Sequence, residues 1–235
     1  MSRSADFPGN RLSLQRLVPL MLLLWGLACP AGSRAAQADP SCPAEALEKL
    51  FAAGDYDAVV AGAEKSPCAD NLALAARALL ARGAFLPPGD ERSRLLDRAI
   101  IFAERALMQD PENLAALLQA AAAYGFRAVT SRSISDVRQA WKLLARARAL
   151  APDDPYVLAA IGTWHARTRL GAGGLIAPLL FGATKSAARR FFTRALEQAP
   201  DAASIVIGYG LLLVAFGGED MRTGLALLRR ARTLA

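Results

Sequence analysis

The sequence predicts an all-α protein built as a stack of about five helical hairpins, and three observations support this class. The chain has 235 residues, of which 54% are hydrophobic but only 7% aromatic, so alanine and leucine supply most of the apolar mass. Small aliphatic side chains of this kind favour helices that pack closely. Runs of β-branched residues are short and isolated, as at residues 204–207, which argues against strands. The third observation is an internal repeat of an Arg-Ala pair followed by a proline.

The first 38 residues have the features of a targeting signal. Three arginines form a basic leader: Arg3, Arg11 and Arg16. Residues 17–28 form an apolar run, and Ala36-Gln37-Ala38 matches the small-x-small site of signal peptidase. As a helix, this run would rise only about 18 Å, which is too short to span a bilayer comfortably. We therefore predict a cleaved signal peptide at 1–38, a periplasmic location and a mature domain at 39–235.

Cys29 supports a second interpretation of the leader, in which a lipid is attached to this cysteine. A lipoprotein signal places a Leu-x-small motif directly before the modified cysteine. Here Leu27 stands one place too late, and Pro30 follows the cysteine. A lipoprotein anchored through Cys29 is therefore the alternative to a cleaved, free protein.

The charge of the mature chain excludes one class of partner. The leader contains four arginines and one aspartate, so its removal leaves 24 basic and 20 acidic residues and lowers the formal net charge from +7 to +4. This excess is too small to indicate a nucleic-acid-binding surface. We therefore expect no nucleic acid among the partners.

Cys42 and Cys68 are the cysteines that the mature chain would keep. An oxidising compartment allows such a pair to form a disulfide. If residues 44–53 and 56–66 form an antiparallel hairpin, its start and its end lie at the same pole and bring the two cysteines close. We predict a bridge, which would stabilise the fold by about 3.5 kcal/mol through loop-closure entropy. Two unpaired, partly buried thiols are the alternative.

The internal repeat identifies the second helix of each hairpin. An Arg-Ala pair recurs with a proline five residues after the alanine, and another small residue stands seven positions before that alanine. Seven residues make about two helical turns, so both small residues share one face and let a neighbouring helix approach closely. The predicted packing pairs are Ala99 with Ala106, Ala140 with Ala147, Ala188 with Ala195, and Gly224 with Ala231.

The first helix of each hairpin follows a proline and an acidic residue, as at 110–112, 154–155 and 200–201. An aspartate caps free backbone N–H groups, and a proline fits the first helical turn. Gly162 and Gly210 occupy matching offsets within these first helices, where a glycine permits close contact between helices. Both helices of the repeated hairpin therefore have sequence signals.

These features resemble the tetratricopeptide repeat family, and Gly54-Asp55-Tyr56-Asp57 is similar to the turn between the helices of that repeat. The resemblance covers most of residues 43–235. It implies a right-handed α-solenoid whose concave face binds protein segments. The repeats are longer than the family period of about 34 residues, because the prolines at 67, 111, 152 and 200 are 44, 41 and 48 apart. We expect the extra residues in extended loops within the hairpins, at 85–94, 127–136 and 170–184.

A second resemblance concerns a single hairpin. The glycine-rich stretch 170–174 and residues 182–185 are similar in character to the T component of tripartite (TRAP-type) transport systems, whose exported helical-repeat subunits have long loops before a basic helix. This resemblance implies an accessory or ligand-binding subunit of an envelope transport system.

Residues 170–184 are almost wholly apolar, although loops usually face water. We expect their large side chains to pack over the solenoid, since their exposure would invite aggregation. The alternative is an apolar binding surface or a peripheral contact with a membrane. The basic residues of the second helices would usually form a solvated face, or else dock an acidic partner. The candidate partner surface comprises Arg146, Leu175, Ile176, Phe181, Lys185, Arg189, Arg190, Arg194 and Arg230.

No residue pattern indicates catalysis. His165 is the single histidine, and no cysteine or carboxylate stands near it at metal-ligand spacing, so we expect it to pack in the core. The chain has no GxSxG or HExxH motif and no phosphate-binding glycine loop. We therefore predict a protein that is not an enzyme and that needs no cofactor and no metal.

Two functions follow from the sequence. The first is a periplasmic scaffold that binds another protein through its helical repeats. The second is an accessory subunit that binds a small apolar or anionic ligand near residues 170–184. The last helix has no polar capping helix after it, so we also expect that the C-terminal hairpin could join two copies of the chain.

Overall fold

The computed structural model describes residue 42 and residues 44–234, which contain ten α-helices and no strand, so the predicted all-α class is confirmed. The predictions for the signal peptide at 1–38 and for Cys29 lie outside these residues. The helices are α1 (Ala44–Ala52), α2 (Tyr56–Lys65), α3 (Ala69–Phe85), α4 (Asp90–Gln109), α5 (Leu114–Ser131), α6 (Ile134–Leu150), α7 (Pro155–Phe181), α8 (Lys185–Gln198), α9 (Ala203–Phe216) and α10 (Glu219–Ala231).

The ten helices pack as five consecutive hairpins, α1/α2 to α9/α10, as a solenoid-like stack requires. From the second hairpin to the fourth, the second helix contacts both its own first helix and the first helix of the next hairpin. First helices of neighbouring hairpins also contact each other, so they form one common inner layer. This layer is not uniform: α3 and α5 pack closely, whereas α5 and α7 touch only sparsely.

The small residues of the repeat lie at the contacts between helices. All eight predicted packing residues are buried. The backbones of α9 and α10 approach closely, since a Cβ atom on Gly224 would lie 2.5 Å from the carbonyl oxygen of Gly210. A Cβ atom on Gly162 would lie 2.7 Å from the ring of Phe192. Glycine is therefore required at both positions by the distance between the helices.

The first helices of the third and fourth hairpins are capped by side chains of the turns that precede them. Asn113 accepts a hydrogen bond from the backbone N–H of Ala116 at 2.8 Å, and Asp154 accepts two, from Tyr156 and Val157, each at 2.9 Å. Such caps satisfy N–H groups that have no partner within the helix. The third and fourth hairpins therefore start at a defined residue, whereas Cys68 and Ala202, the N-caps of α3 and α9, provide no side-chain hydrogen bond.

Cys42 and Cys68 lie at disulfide distance, with their Cα atoms 5.9 Å apart. The bridge joins the segment that precedes α1 to the N-cap of α3. As predicted, the first hairpin brings its two ends to the same pole.

The extended loops expected within the hairpins are wrong. The turns cover only residues 86–89, 132–133 and 182–184, and the extra residues of each repeat lengthen the helices instead. Continuing the helix keeps the backbone hydrogen bonds, which an extended loop would lose.

The fourth hairpin differs because α7 is kinked at Gly173, where φ is 84°. Only glycine adopts this conformation at little cost. Residues 174–181, which we call the α7 extension, therefore leave the axis of the preceding helix. The extension ends at Gly182 in a left-handed conformation, where the N–H of Ala183 donates to the carbonyl of Ala177 at 3.1 Å.

Candidate binding site

A cavity of about 560 Å³ lies in the inner layer of the stack, where α5 and α7 separate. The first helices α5, α7 and α9 form its walls together with α6 and the α7 extension. We call this cavity the groove. Its volume falls within the range of roughly 300–1,000 Å³ that is usual for small-molecule sites. Its principal lining residues are Ala121, Ala122, Gly125, Phe126, Val129, Arg132, Val137, Leu144, Trp164, Arg167, Ile176, Leu180, Phe181, Gly208 and Leu212.

Small side chains create the space of the groove. A Cβ atom added to Gly125 or to Gly208 would meet no other atom within 4 Å. Alanines 121, 122 and 160 stand beside them on the walls. Elsewhere in the chain small residues bring helices together, whereas here they face a gap that no side chain fills.

The α7 extension has two different faces. Ile176, Leu180 and Phe181 line the groove. Leu175 and Leu179 do not line it, and their exposed fractions are 88% and 83%. The expectation that these apolar residues pack over the solenoid is therefore wrong. The kink at Gly173 directs the extension so that only the side of Ala177 reaches the core.

The groove contains an arginine without a carboxylate partner. The guanidinium of Arg167 lies 5.5 Å from the centroid of the Phe126 ring, and no described residue forms an ion pair with it. Burial lowers the pKa of Arg167, the charge of Arg92 acts in the same direction, and together they bring this pKa to about 10. The side chain is still protonated at neutral pH. The described lining contains no Asp or Glu, so the groove is apolar with a positive charge.

Arg92 adds to this positive charge. It is only 4% exposed, and its Nε has no hydrogen-bond partner among residues 42 and 44–234. Burial lowers the pKa of its guanidinium. By contrast, Arg127 on α5 is fully compensated, since it donates to Asp136 at 2.8 and 2.9 Å and to Asp97 at 3.0 Å.

The arginines that recur in the repeat hold neighbouring hairpins together. Each reaches back to the preceding turn between hairpins: Arg146 to the carbonyl of Pro111 at 2.6 Å, Arg194 to Asp153 at 2.6 Å, and Arg230 to the carbonyl of Pro200 at 2.8 Å. These contacts within the chain explain why the arginines recur, and no partner protein is needed to explain it. Arg105 has no such bond; Gln109 donates to the carbonyl of Pro67 instead.

The remaining basic residues of the predicted surface lie away from these turns. Lys185 and Arg189 both pair with Asp220, which is buried at the start of α10. Arg190 is exposed, and its charge acts on His165. Eight of the nine predicted surface residues therefore separate into the α7 extension, the turns between hairpins and the region around Asp220, and Arg190 lies apart, near His165.

His165 packs in the core, in a cluster of aromatic rings. Its ring centroid lies 5.6 Å from that of Trp141, 5.1 Å from that of Trp164 and 5.7 Å from that of Phe191. Burial lowers the pKa of His165 to about 4, and the charge of Arg190 acts in the same direction. The imidazole is neutral at physiological pH and packs as an aromatic ring.

Sequence reasoning missed Arg167, although a signal was present. No Asp or Glu occurs between Asp154 and Glu197, and this stretch contains both Arg167 and the α7 extension. A buried arginine in this stretch therefore has no carboxylate close to it in the sequence with which it could pair. The residues that face Arg167 come from α5, which sequence reasoning did not connect to α7.

Fold and site together define an all-helical protein of stacked hairpins with an apolar, positively charged groove. No protein-family model matches the chain, and no curated protein sequence matches it significantly. The resemblances to the tetratricopeptide repeat family and to the T component thus stay predictions. Within the described residues, no helix combines the length and the apolarity that a bilayer crossing needs.

Proposed function

We propose that this chain is a non-catalytic periplasmic binding protein that takes up the apolar part of a ligand in the groove. The observation that carries this proposal is the cavity of about 560 Å³ with mainly apolar walls. Of the two functions predicted from the sequence, it favours the accessory subunit that binds a ligand near residues 170–184. The groove lies beside that segment, with Ile176 and Leu180 on its wall.

The packing around the groove favours the interpretation as a ligand-binding cavity over that as a packing defect in the core. Protein interiors are close-packed, and an empty apolar volume costs stability in proportion to its size. Leu180 and Ile176 are half exposed at the wall of the cavity instead of filling it. A bound apolar group would bury these side chains and fill the volume, which gives the ligand its binding free energy.

The test is to fill the groove without disturbing the fold. Gly208→Leu places a side chain in the open space beside Gly208, and it raises helix propensity by up to about 1 kcal/mol. We expect the neutral dye Nile red to fluoresce with the native protein and much less with this variant. The matched control is Ala145→Leu, which adds the same group on the exposed side of α6. Equal fluorescence with both variants would contradict the proposal.

A second candidate function, a scaffold for a protein partner, is favoured by the outer face of the α7 extension. Leu175 and Leu179 are more than four-fifths exposed and point away from the groove. Adjacent exposed leucines of this kind are typical of a protein-binding surface. Replacing both with Gln should then remove a specific partner from pulldowns of an envelope extract. The control is Met108→Gln, another exposed apolar residue, on α4.

A further inference from the structure

The positive charge in the groove points to one class of ligand. We propose that the groove binds a monocarboxylate with a linear hydrocarbon chain, with the carboxylate on Arg167 and the chain against the apolar walls. This inference rests on the proposed function, since it names the ligand of the same groove. The apolar walls alone would accept any hydrophobic group, so the charge of the ligand is the additional claim.

An anionic ligand follows from the cost of an unpaired buried charge. A guanidinium that leaves water without a partner loses its hydration, and a native protein usually restores it with a carboxylate. Arg127 has two such carboxylates, whereas Arg167 has none among the described residues. Arg92, nearly buried and also without an ion pair in that part of the chain, increases the local positive potential. A ligand anion would supply the missing countercharge.

A single carboxylate with a long chain fits the groove best. The planar fork of a guanidinium matches the two oxygens of a carboxylate. Arg132 is the other charged residue of the lining, but it is exposed, so it remains hydrated. The rest of the lining is mainly apolar, with the hydroxyls of Ser133, Thr163 and Thr168 but no further charged side chain, so a second ionic group would find no countercharge. These mainly apolar walls favour a hydrocarbon chain for the rest of the ligand.

The test compares three amphiphiles of equal chain length: laurate, dodecanol and dodecyltrimethylammonium. Titration calorimetry on the purified native chain should show laurate binding at least about tenfold tighter than dodecanol, because an ionic hydrogen bond adds to the apolar contact. The ammonium compound should bind more weakly than dodecanol. Raised salt should reduce laurate binding only modestly, since Arg167 is partly buried.

Variants of Arg167 separate its charge from the apolar walls. Arg167→Gln should weaken laurate about tenfold and leave dodecanol unchanged. The matched control is Arg148→Gln, because the guanidinium of Arg148 also lies over a phenylalanine, 5.3 Å from the Phe191 centroid, but outside the groove. Thermal melting of the ligand-free proteins checks the fold. It should show Arg167→Gln to be at least as stable as the native chain, since the variant removes an unpaired charge.

The outcomes distinguish this inference from the function on which it rests. If laurate and dodecanol bind equally and Arg167→Gln changes neither, the anionic ligand is wrong but the apolar groove stands. If no amphiphile binds and Gly208→Leu leaves Nile red fluorescence unchanged, both proposals fall. If Arg167→Gln does not fold, the laurate-to-dodecanol ratio of the native chain still decides.

Discussion

Helices α3 and α7 are first helices of their hairpins, yet one is a core element and the other is the wall of a groove. Of the 17 residues of α3, 13 are buried, against 10 of the 27 residues of α7. Each helix carries an arginine over a phenylalanine of the preceding hairpin. Arg77 lies 4.1 Å from the Phe51 centroid and pairs with Glu48 at 3.6 Å, whereas Arg167 lies over Phe126 and pairs with no carboxylate of residues 44–234.

This difference shows how one repeat pattern can serve two purposes. Where neighbouring first helices pack closely, as α3 does with α5, the layer is a core and its arginine is compensated within the chain. Where α5 and α7 separate, the same layer leaves a cavity and an uncompensated charge. The second arrangement lowers the stability of the fold. A protein can retain such an arrangement where a bound ligand offsets the loss.

The largest expected effect concerns the packing of the two helices. Leu72→Ala on α3 removes a side chain with no exposed surface and should lower the free energy of unfolding by about 4 kcal/mol. Leu212→Ala, on the wall of the groove, removes a buried side chain but should lower it by only about 2 kcal/mol, because the wall can relax into the adjacent cavity. Denaturant unfolding of both variants measures the difference. Equal losses would show that the groove is as well packed as α3.

The disulfide should stabilise the packed end of the chain and leave the groove unaffected. Replacing Cys42 and Cys68 with serine should cost about 3.5 kcal/mol, because the unfolded chain regains the freedom of a loop with a sequence separation of 26. Nile red fluorescence of the folded variant should equal that of the native chain. A parallel loss of dye binding would mean that the two regions are coupled.

The two arginines should respond in opposite directions to the same change. Arg77→Gln should destabilise the chain by about 2 kcal/mol, since it breaks a pair in which Arg77 is buried. Arg167→Gln should raise the ligand-free stability by about 1 kcal/mol, since it removes a charge without a partner. Equilibrium unfolding without added ligand provides the comparison. A loss of stability in both variants would remove the distinction between the two helices.

A further test is a pH dependence from the packed side of α7. The pKa of His165 is about 4 in the folded chain, below its unfolded value, so the unfolded state binds the proton first as the pH falls. Stability is therefore present above the unfolded pKa and is lost as the pH falls toward 4, by about 1 kcal/mol per pH unit near pH 5.5. Unfolding curves of the native chain and of His165→Phe test this. An identical pH slope in both would assign it to other groups.

Much of the hairpin architecture could be predicted because its signals are local. Ala99 and Ala106 lie two turns apart on one helix, and Asp154 caps the helix that follows it directly. Both features depend only on residues that are close together in the sequence. The position of the α7 extension was harder to predict. The sequence shows that residues 170–184 are apolar, but it does not show in which direction the chain leaves Gly173.

By itself, the sequence determined the helical class, the number of hairpins and the pairing of Cys42 with Cys68. Only the tertiary structure decided where the groove lies, because small residues have two opposite uses. Gly224 has no side chain because the backbone of Gly210 lies against it, whereas Gly208 has none and faces open space. The two glycines are alike in the sequence. The distance between the helices depends on the packing of the whole stack, and it makes one glycine a helix contact and the other part of the groove.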